Sequence, residues 1–220
     1  MLHNKHKDKR GRASTHEISG LALAKDTMIR NGNKTLSYVP MMTEKTKKRV
    51  RVFFALWPDD AERAALAAWQ PVLHKLCGGR IMRADTLHNT LVFLGNIGLH
   101  RLEALQLAAQ EVNGEAFELS FDAACYWGRN HIVYATPCSV PPQLAQLVHG
   151  LEQRLIKHRF NFDKRPCKPH VTLLRNAKWN DRPLPGMDRV VWRAKYFTLV
   201  QSMPDEAGAN YQVLARFSLR

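Results

Sequence analysis

The 220-residue sequence has few of the features that mark secreted, metal-binding or membrane proteins. Its four cysteines form no Cys-x-x-Cys pair and no Cys/His cluster with the spacing of zinc ligands. Free thiols in a reducing compartment are the expected state. No apolar run approaches the roughly 20 residues of a membrane helix, and nothing in the first residues resembles a secretory signal. We therefore expect a soluble, cytoplasmic protein that does not bind a membrane.

Acidic residues are scarce, because 19 Asp and Glu stand against 33 Lys and Arg and leave a net charge of +14. Such an excess favours a polyanionic partner, and nucleic acid before a membrane surface. Residues 1–49 alone have a net charge of +8 and lack Phe, Trp and Cys. We predict that 1–49 is a basic, disordered extension in which only 21–29 has a short helical pattern. In the alternative interpretation, Met41 or Met42 is the natural start of the protein.

Residues 50–220 have the length of one domain with two lobes. The first predicted helix covers 61–77. Pro71 predicts a kink within it, and Gly78-Gly79 predicts its end. Residues 125–130 are predicted to form the loop between two antiparallel strands, 117–121 and 131–135. Apolar periodicity predicts strands at 50–56, 87–95, 117–121, 131–135, 170–174, 190–200 and 211–217, and helices at 61–77, 99–114 and 142–159.

One pattern occurs twice, since His88-Asn89-Thr90-Leu91 and His170-Val171-Thr172-Leu173 are both His-x-Thr-Leu. Each copy lies in an apolar, β-branched run that predicts a strand. Because side chains alternate along a strand, each histidine shares a face with its threonine. With ten His, ten Thr and 26 Leu in the chain, chance gives the pattern roughly 0.05 times. Two copies indicate a degenerate internal duplication that places the motifs opposite each other across a cleft.

Two histidines without a third nitrogen ligand or a carboxylate at motif spacing make a poor zinc site, so we expect no metal and no cofactor. They suit acid–base catalysis, because imidazole titrates near neutral pH and one ring can donate a proton while the other accepts one. Threonine hydroxyls two residues away can donate hydrogen bonds to phosphoryl oxygens. The simpler interpretation of either copy alone is a core histidine bonded to a backbone carbonyl.

In these motifs the sequence resembles the bacterial and archaeal RNA 2′,3′-cyclic phosphodiesterases, once called 2′-5′ RNA ligases, of the two-histidine (2H) phosphoesterase superfamily. The resemblance covers about residues 50–219 and includes 51–56, 87–95, 168–175 and 211–219. It implies an α+β, bilobal 2H phosphoesterase fold. Two antiparallel sheets are expected to flank a central cleft, with helices on the outside and a pseudo-two-fold internal duplication.

Two positions depart from the family pattern. Asn89 occupies a position that is usually apolar, and we expect it to point away from the cleft and to affect packing more than chemistry. Met82 stands where many members have Trp, which leaves base stacking at that position open. Trp127 and Tyr126 are further candidates for stacking on the terminal base. In the alternative interpretation, these two rings pack against their own sheet.

The resemblance implies hydrolysis of an RNA terminal 2′,3′-cyclic phosphate to a 2′-phosphate. His88 is then the proton donor to the leaving 3′-oxygen, and His170 is the proton acceptor that activates water. Thr90, Thr172 and Arg175 are the expected substrate-binding residues, with a solvated strand-end charge as the alternative for Arg175. RNA ends are the expected partner, and we predict a monomer without an obligate protein partner. Reversible 2′-5′ RNA ligation and a non-catalytic RNA-end-binding module are the alternative functions.

Overall fold

The computed structural model describes residues 48–180, 182–203 and 208–220. The predicted extension over 1–49, with its short helical pattern at 21–29, therefore lies outside the described residues except for Lys48 and Arg49. The described part is an α+β unit of strands and helices with short 3₁₀ turns at Ala84–Thr86 and Leu99–Arg101. The helices are α1 (Asp60–Ala67), α2 (Gln70–Cys77), α3 (Leu102–Gln110) and α4 (Pro142–Lys157). The strands are β1 (Arg49–Leu56), β2 (Arg80–Ile81), β3 (Asn89–Gly98), β4 (Phe117–Phe121), β5 (Ala123–Trp127), β6 (Ile132–Thr136), β7 (Val171–Arg175), β8 (Val190–Ala194), β9 (Tyr196–Ser202) and β10 (Tyr211–Ser218).

Eight strands form one antiparallel sheet with the order β10-β9-β1-β3-β7-β6-β5, in which β2 pairs with the far end of β7. The fold therefore differs from the expected pair of separate sheets. Its two halves are joined between β3 and β7 by a single residue pair, Asn89 with Val171. Each half has one His-x-Thr-Leu motif, on β3 or on β7. The internal duplication stays a prediction.

The predicted pairing of 117–121 with 131–135 is wrong. β4 pairs with β8 in a separate two-stranded sheet, and β6 pairs with β5 and β7. Cys125, Tyr126 and Trp127, which were expected in a loop, are the last three residues of β5. The predicted strand 190–200 is divided at Lys195, where the chain leaves the small sheet and enters the large one. A break of one residue leaves the apolar pattern unchanged, so the pattern could not show it.

The helices lie where the periodicity predicts them, with one break. Asp59 and Glu62 form a capping box at the start of α1, since each side chain accepts a hydrogen bond from the other residue's backbone N–H. The predicted helix 61–77 is two helices rather than one kinked helix, and Pro71 lies in the first turn of α2. A proline fits there because the first turn leaves its N–H groups without helical partners. None of the helices in the described part of the chain combines the length and the apolar character that a membrane crossing requires.

Two glycines end α2 and bring the chain back to the sheet. Gly78 and Gly79 have φ values of +60° and +84°, which side chains disfavour. A Cβ atom at Gly79 would lie 2.5 Å from the carbonyl oxygen of Arg175. This close approach places β2 beside the end of β7.

The central strand β1 separates two apolar clusters. Val52, Phe54 and Leu56 belong to the large core, which contains buried residues from all four helices. Phe53 and Trp57 alternate with them and belong to a smaller cluster on the other face. The histidines of the two motifs lie beside this second face.

Candidate active site

The two motifs occupy equivalent places in the sheet. His88 directly precedes β3 and His170 directly precedes β7, and the threonine two residues on is the second residue of each strand. The pairing of Asn89 with Val171 brings the two strand starts together. All four side chains then line one cavity of about 200 Å³, here called the histidine cavity. Its lining residues are Arg51, Phe53, Met82, Thr86, His88, Thr90, Phe93, His170, Thr172, Arg175, Ser202 and Tyr211.

Both imidazoles are oriented by the same backbone contact. Nδ1 of His88 lies 2.7 Å from the carbonyl oxygen of Thr86, and Nδ1 of His170 lies 2.7 Å from that of Lys168. A carbonyl oxygen only accepts hydrogen bonds, so each neutral ring carries its proton on Nδ1 and has an unprotonated Nε2. The carbonyl contact expected of a core histidine is thus present, but it orients a ring that also lines the cavity.

Aromatic rings enclose His88. The Trp57 ring stacks on it at 5.5 Å between centroids, and the rings of Phe53 and Tyr211 each lie at 5.0 Å. Burial in this apolar setting is the main cause that lowers the pKa of His88 from 6.5 to about 4, and the charges of His170 and Arg175 lower it further. The hydrogen bond to Thr86 opposes the shift without cancelling it.

His170 has a smaller aromatic neighbourhood. Trp127 meets its ring edge-on at 4.9 Å, and Tyr134 does so at 5.7 Å. Burial, followed by the Arg175 charge, lowers the pKa of His170 as well. Tyr126 points elsewhere, because its hydroxyl lies 3.2 Å from the carbonyl oxygen of Ala177 and it packs against the large core. Of the two proposed stacking rings, only Trp127 lies beside a motif histidine.

The cavity is positively charged. Arg175 lies at its edge, where the sequence predicted a fixed positive charge, and its charge reaches both histidines. Arg51 is a second lining guanidinium, packed 5.0 Å from the Phe93 ring centre. Among the described residues, the lining holds no carboxylate, and no three His, Cys, Asp or Glu side chains form a metal-ligand group. Such a cavity suits an anion.

Thr90, Thr172 and Met82 also line the histidine cavity. Thr90 and Thr172 are half-buried, and neither hydroxyl has a hydrogen-bond partner within the described ranges. Both can therefore donate to an oxygen inside the cavity. Met82 is 5% exposed and forms part of the wall, so this position offers no stacking ring.

Several lining residues were missing from the sequence-based prediction. Ser202 and Tyr211 come from β9 and β10, which follow the second motif and have no motif of their own. Strand alternation places Arg51 on the same face of β1 as Phe53. Nothing in the neighbouring sequence showed that this face of β1, rather than the other, lies beside the histidines.

Asn89 connects the two motifs. It is fully buried, and its Oδ1 accepts a hydrogen bond of 2.7 Å from the backbone N–H of His170. Its Nδ2 is also buried and has no hydrogen-bond partner among the described residues. The expectation that Asn89 affects packing more than chemistry did not include this contact. The signal was present, because a polar side chain on the apolar face of a strand needs a partner.

We expect the free energy of unfolding to fall as the pH drops from 6.5 to about 4, because folding disfavours the protonated His88 ring. Below pH 6.5 the unfolded chain binds this proton first, which destabilises the fold by up to about 3 kcal/mol near pH 4. Urea unfolding across this pH range measures the slope. His88→Phe should flatten it, and His149→Ala, which removes an exposed histidine of α4, should leave it unchanged. Parallel slopes for all three proteins would contradict the pKa of about 4.

We expect Asn89→Leu to lower kcat for the expected two-histidine acid–base reaction roughly tenfold, because His170 is positioned less well, while the free energy of unfolding changes by less than about 1 kcal/mol. The lost acceptor leaves the His170 N–H unpaired, but the leucine also removes a buried, unpartnered Nδ2, and these two effects oppose each other. Steady-state kinetics and urea unfolding separate them. Leu91→Met, on the same face of β3, is the packing control. An equal loss of kcat in both variants would show that packing alone matters here.

Relatives with the same architecture are known. The description "LigT like Phosphoesterase" applies to a family profile that matches residues 56–134. The RNA 2′,3′-cyclic phosphodiesterase of Escherichia coli is 31% identical over 170 residues, which cover 77% of this chain and 96% of that protein. The enzyme of the same name from Thermus thermophilus is 30% identical over 181 residues, with coverages of 78% and 91%.

Solved structures agree with these relationships. Escherichia coli LigT complexed with 3′-AMP superimposes with a TM-score of 0.71 at 29% identity, covering 78% of this chain and 99% of that one. TT0787 of Thermus thermophilus superimposes with a TM-score of 0.63 at 25% identity, covering 77% and 98%. The chain therefore belongs to the LigT-like phosphoesterase family of two-histidine phosphoesterases.

Proposed function

We propose that this protein hydrolyses the 2′,3′-cyclic phosphate at the end of an RNA to a 2′-phosphate. The observation that carries the proposal is the pair of imidazoles, each fixed through Nδ1 and each lining the same cation-lined cavity. The relatives support the choice of reaction, because two that match most of this chain are named RNA 2′,3′-cyclic phosphodiesterases. The complex of the Escherichia coli relative with 3′-AMP supports a nucleotide ligand.

The reaction needs one base and one acid. His170 Nε2 takes a proton from water, and the water oxygen forms a bond to phosphorus. The bond between phosphorus and the 3′-oxygen breaks, and His88 gives a proton to that oxygen. The products are a 3′-hydroxyl and a 2′-phosphate. His170 then carries the proton taken from water, and His88 has given its own proton to the 3′-oxygen, so proton exchange with solvent returns the pair to its starting state.

The threonines and arginines that line the cavity stabilise the negative charge of the phosphate. The hydroxyls of Thr90 and Thr172 donate hydrogen bonds to the non-bridging oxygens, where negative charge increases in the transition state. Arg175 and Arg51 supply fixed positive charge. Neither arginine has an ion-pair partner among the described residues, which leaves both charges for the substrate.

The proposal also assigns one histidine as the acid and the other as the base. In the empty cavity His88 is the more enclosed ring, with a pKa of about 4, and the His170 charge is one cause of that value. The first proton therefore goes to His170. The assignment of His88 as donor, taken from the family resemblance, requires the bound phosphate to reverse this order. A nearby anion raises the pKa of an imidazole, so the reversal requires the phosphate to interact more strongly with His88 than with His170.

The alternative functions have less support. Ligation of RNA ends needs water to be kept out, whereas Arg51 and Arg175 are both solvent-exposed at the cavity. A binding module without chemistry has no need for two oriented imidazoles with unprotonated Nε2 atoms.

Turnover of a short RNA that ends in a 2′,3′-cyclic phosphate, with a chelator present, tests the reaction. We expect the wild type to produce a 2′-phosphate, and His88→Ala and His170→Ala each to lower the rate by at least about 10². His149→Ala is the matched control and should keep full activity. A folded wild type that yields no product, or a rate that is insensitive to both substitutions, would leave the RNA-end-binding module as the better function.

A substrate with a good leaving group tests which histidine is the acid and which is the base. In the p-nitrophenyl ester of thymidine 3′-phosphate, p-nitrophenolate leaves without taking a proton, so an acid is no longer needed. We expect His88→Ala to lose less than about tenfold on this ester, whereas His170→Ala keeps its loss of about 10² because water still needs a base. The opposite pattern would make His170 the donor and His88 the base.

A further inference from the structure

A second, larger depression opens directly from the histidine cavity. It has a volume of about 710 Å³ and shares Thr90, Phe93 and His170 with the histidine cavity. We call it the side groove. One wall is the turn Gly128–Asn130 with Trp127, and the other is the segment Asp163–Lys168. The two depressions therefore meet at a motif histidine and a motif threonine.

The size of the histidine cavity makes the side groove relevant to RNA. Pockets that enclose a drug-sized ligand measure roughly 300 to 1,000 Å³. At about 200 Å³, the histidine cavity falls below this range, whereas the side groove falls within it. A terminal ribose with its cyclic phosphate is the smaller part of the substrate. The base and the preceding nucleotides need further room next to the histidines.

The charge of the side groove matches a polynucleotide backbone. Arg129, Arg165 and Lys168 line it together with one carboxylate, Asp163. Arg165 donates hydrogen bonds to both carboxylate oxygens, so that acid is already neutralised. The side chains of Arg129 and Lys168 are exposed and have no ion-pair partner among the described residues. Two positive charges are therefore available to phosphates.

The walls are attached to the motif strand. The backbone N–H of Asp163 donates to the carbonyl oxygen of Phe93 at 2.8 Å, and Cys167 Sγ lies 3.6 Å from the carbonyl oxygen of Thr90. On the opposite wall, Trp127 packs against Tyr134 at 4.5 Å and against the His170 ring. A half-buried tryptophan beside unpaired cations is the combination that binds single-stranded nucleic acid.

A cavity beside α1 and β8 does not have these properties. Its volume is about 450 Å³, it is lined by Asp59 and Glu62 as well as by Arg189 and Arg193, and it shares no lining residue with the histidine cavity. RNA bound there would not be connected to the histidines.

We propose that the side groove binds the RNA chain on the 5′ side of the cyclic phosphate, with Trp127 stacking on a base and Arg129 and Lys168 contacting backbone phosphates. This inference rests on the proposed function, because it assumes that the cyclic phosphate lies between the two histidines. The terminal nucleotide continues only through its 5′-oxygen, so the rest of the chain leaves the histidine cavity on one side. The side groove makes the protein selective for oligonucleotide ends over cyclic mononucleotides.

Binding of 3′-phosphorylated A, ApA and ApApA tests the inference, since these monoesters cannot be turned over by the proposed reaction. We expect the trinucleotide to bind the wild type at least about tenfold more tightly than the mononucleotide, the lower part of the range for one stacked base. Arg129→Ala should weaken trinucleotide binding about threefold to tenfold and leave mononucleotide binding within about twofold. It should also reduce the slope of log affinity against log salt by about 0.7.

The controls separate the inference from the proposed function. Arg129→Lys should restore trinucleotide binding, and Arg193→Ala, which removes the same charge at the cavity beside α1, should change neither affinity. Equal binding of mononucleotide and trinucleotide, or an equal loss of both in Arg129→Ala, would overturn the side-groove inference. Turnover of ApApA that ends in a 2′,3′-cyclic phosphate is measured in parallel. A length effect without turnover would support the groove and reject the hydrolysis, and turnover without a length effect would do the reverse.

Discussion

The contact between Asn89 and the start of β7 determines the geometry of the whole site. β3 and β7 belong to different halves of the sheet and are paired through one residue pair, supported by the hydrogen bond from the His170 N–H to Asn89 Oδ1. Each motif histidine directly precedes its strand, so this pair sets where both imidazoles lie. A slip of one residue would turn Thr90 or Thr172 away from the cavity, because side chains alternate along a strand.

Backbone hydrogen bonds also orient the two motif histidines. Each motif histidine is bonded through Nδ1 to the carbonyl of the residue two positions earlier, Thr86 or Lys168. The same local contact therefore occurs on both sides of the cavity and selects the same tautomer twice. Two equivalent nitrogens lie on one cavity, and the surrounding aromatic rings and arginines make their environments different. The difference in pKa between the histidines arises from these neighbours and not from the motif itself.

Secondary structure and side-chain faces that neighbouring residues determine could be predicted from the sequence. Strand partners and cavity contacts that depend on strand order could not. The motif strands, α4 and the faces of His88 and Thr90 follow from periodicity, because neighbouring residues determine them. The partner of β4 could not be predicted, since β8 lies some 70 residues further along the chain and has the same alternating pattern as other strands. Ser202 and Tyr211 reach the cavity because β9 pairs with β1 and β10 pairs with β9. β5 was missed because its end runs directly into the Gly128–Asn130 turn.

The features that suit this cavity to an anion also disfavour a protonated histidine within it. Burial lowers the pKa of both histidines, and Arg175 lowers both further. An imidazolium in the empty cavity would be desolvated and would lie near fixed positive charge. A phosphodiester brings one negative charge, which offsets that repulsion and stabilises the protonated ring. Under the proposed function, substrate binding therefore produces the general acid, whereas a neutral ligand of the same shape would not raise the pKa of either ring. A phosphate would then be selected in the proton-transfer step as well as in binding.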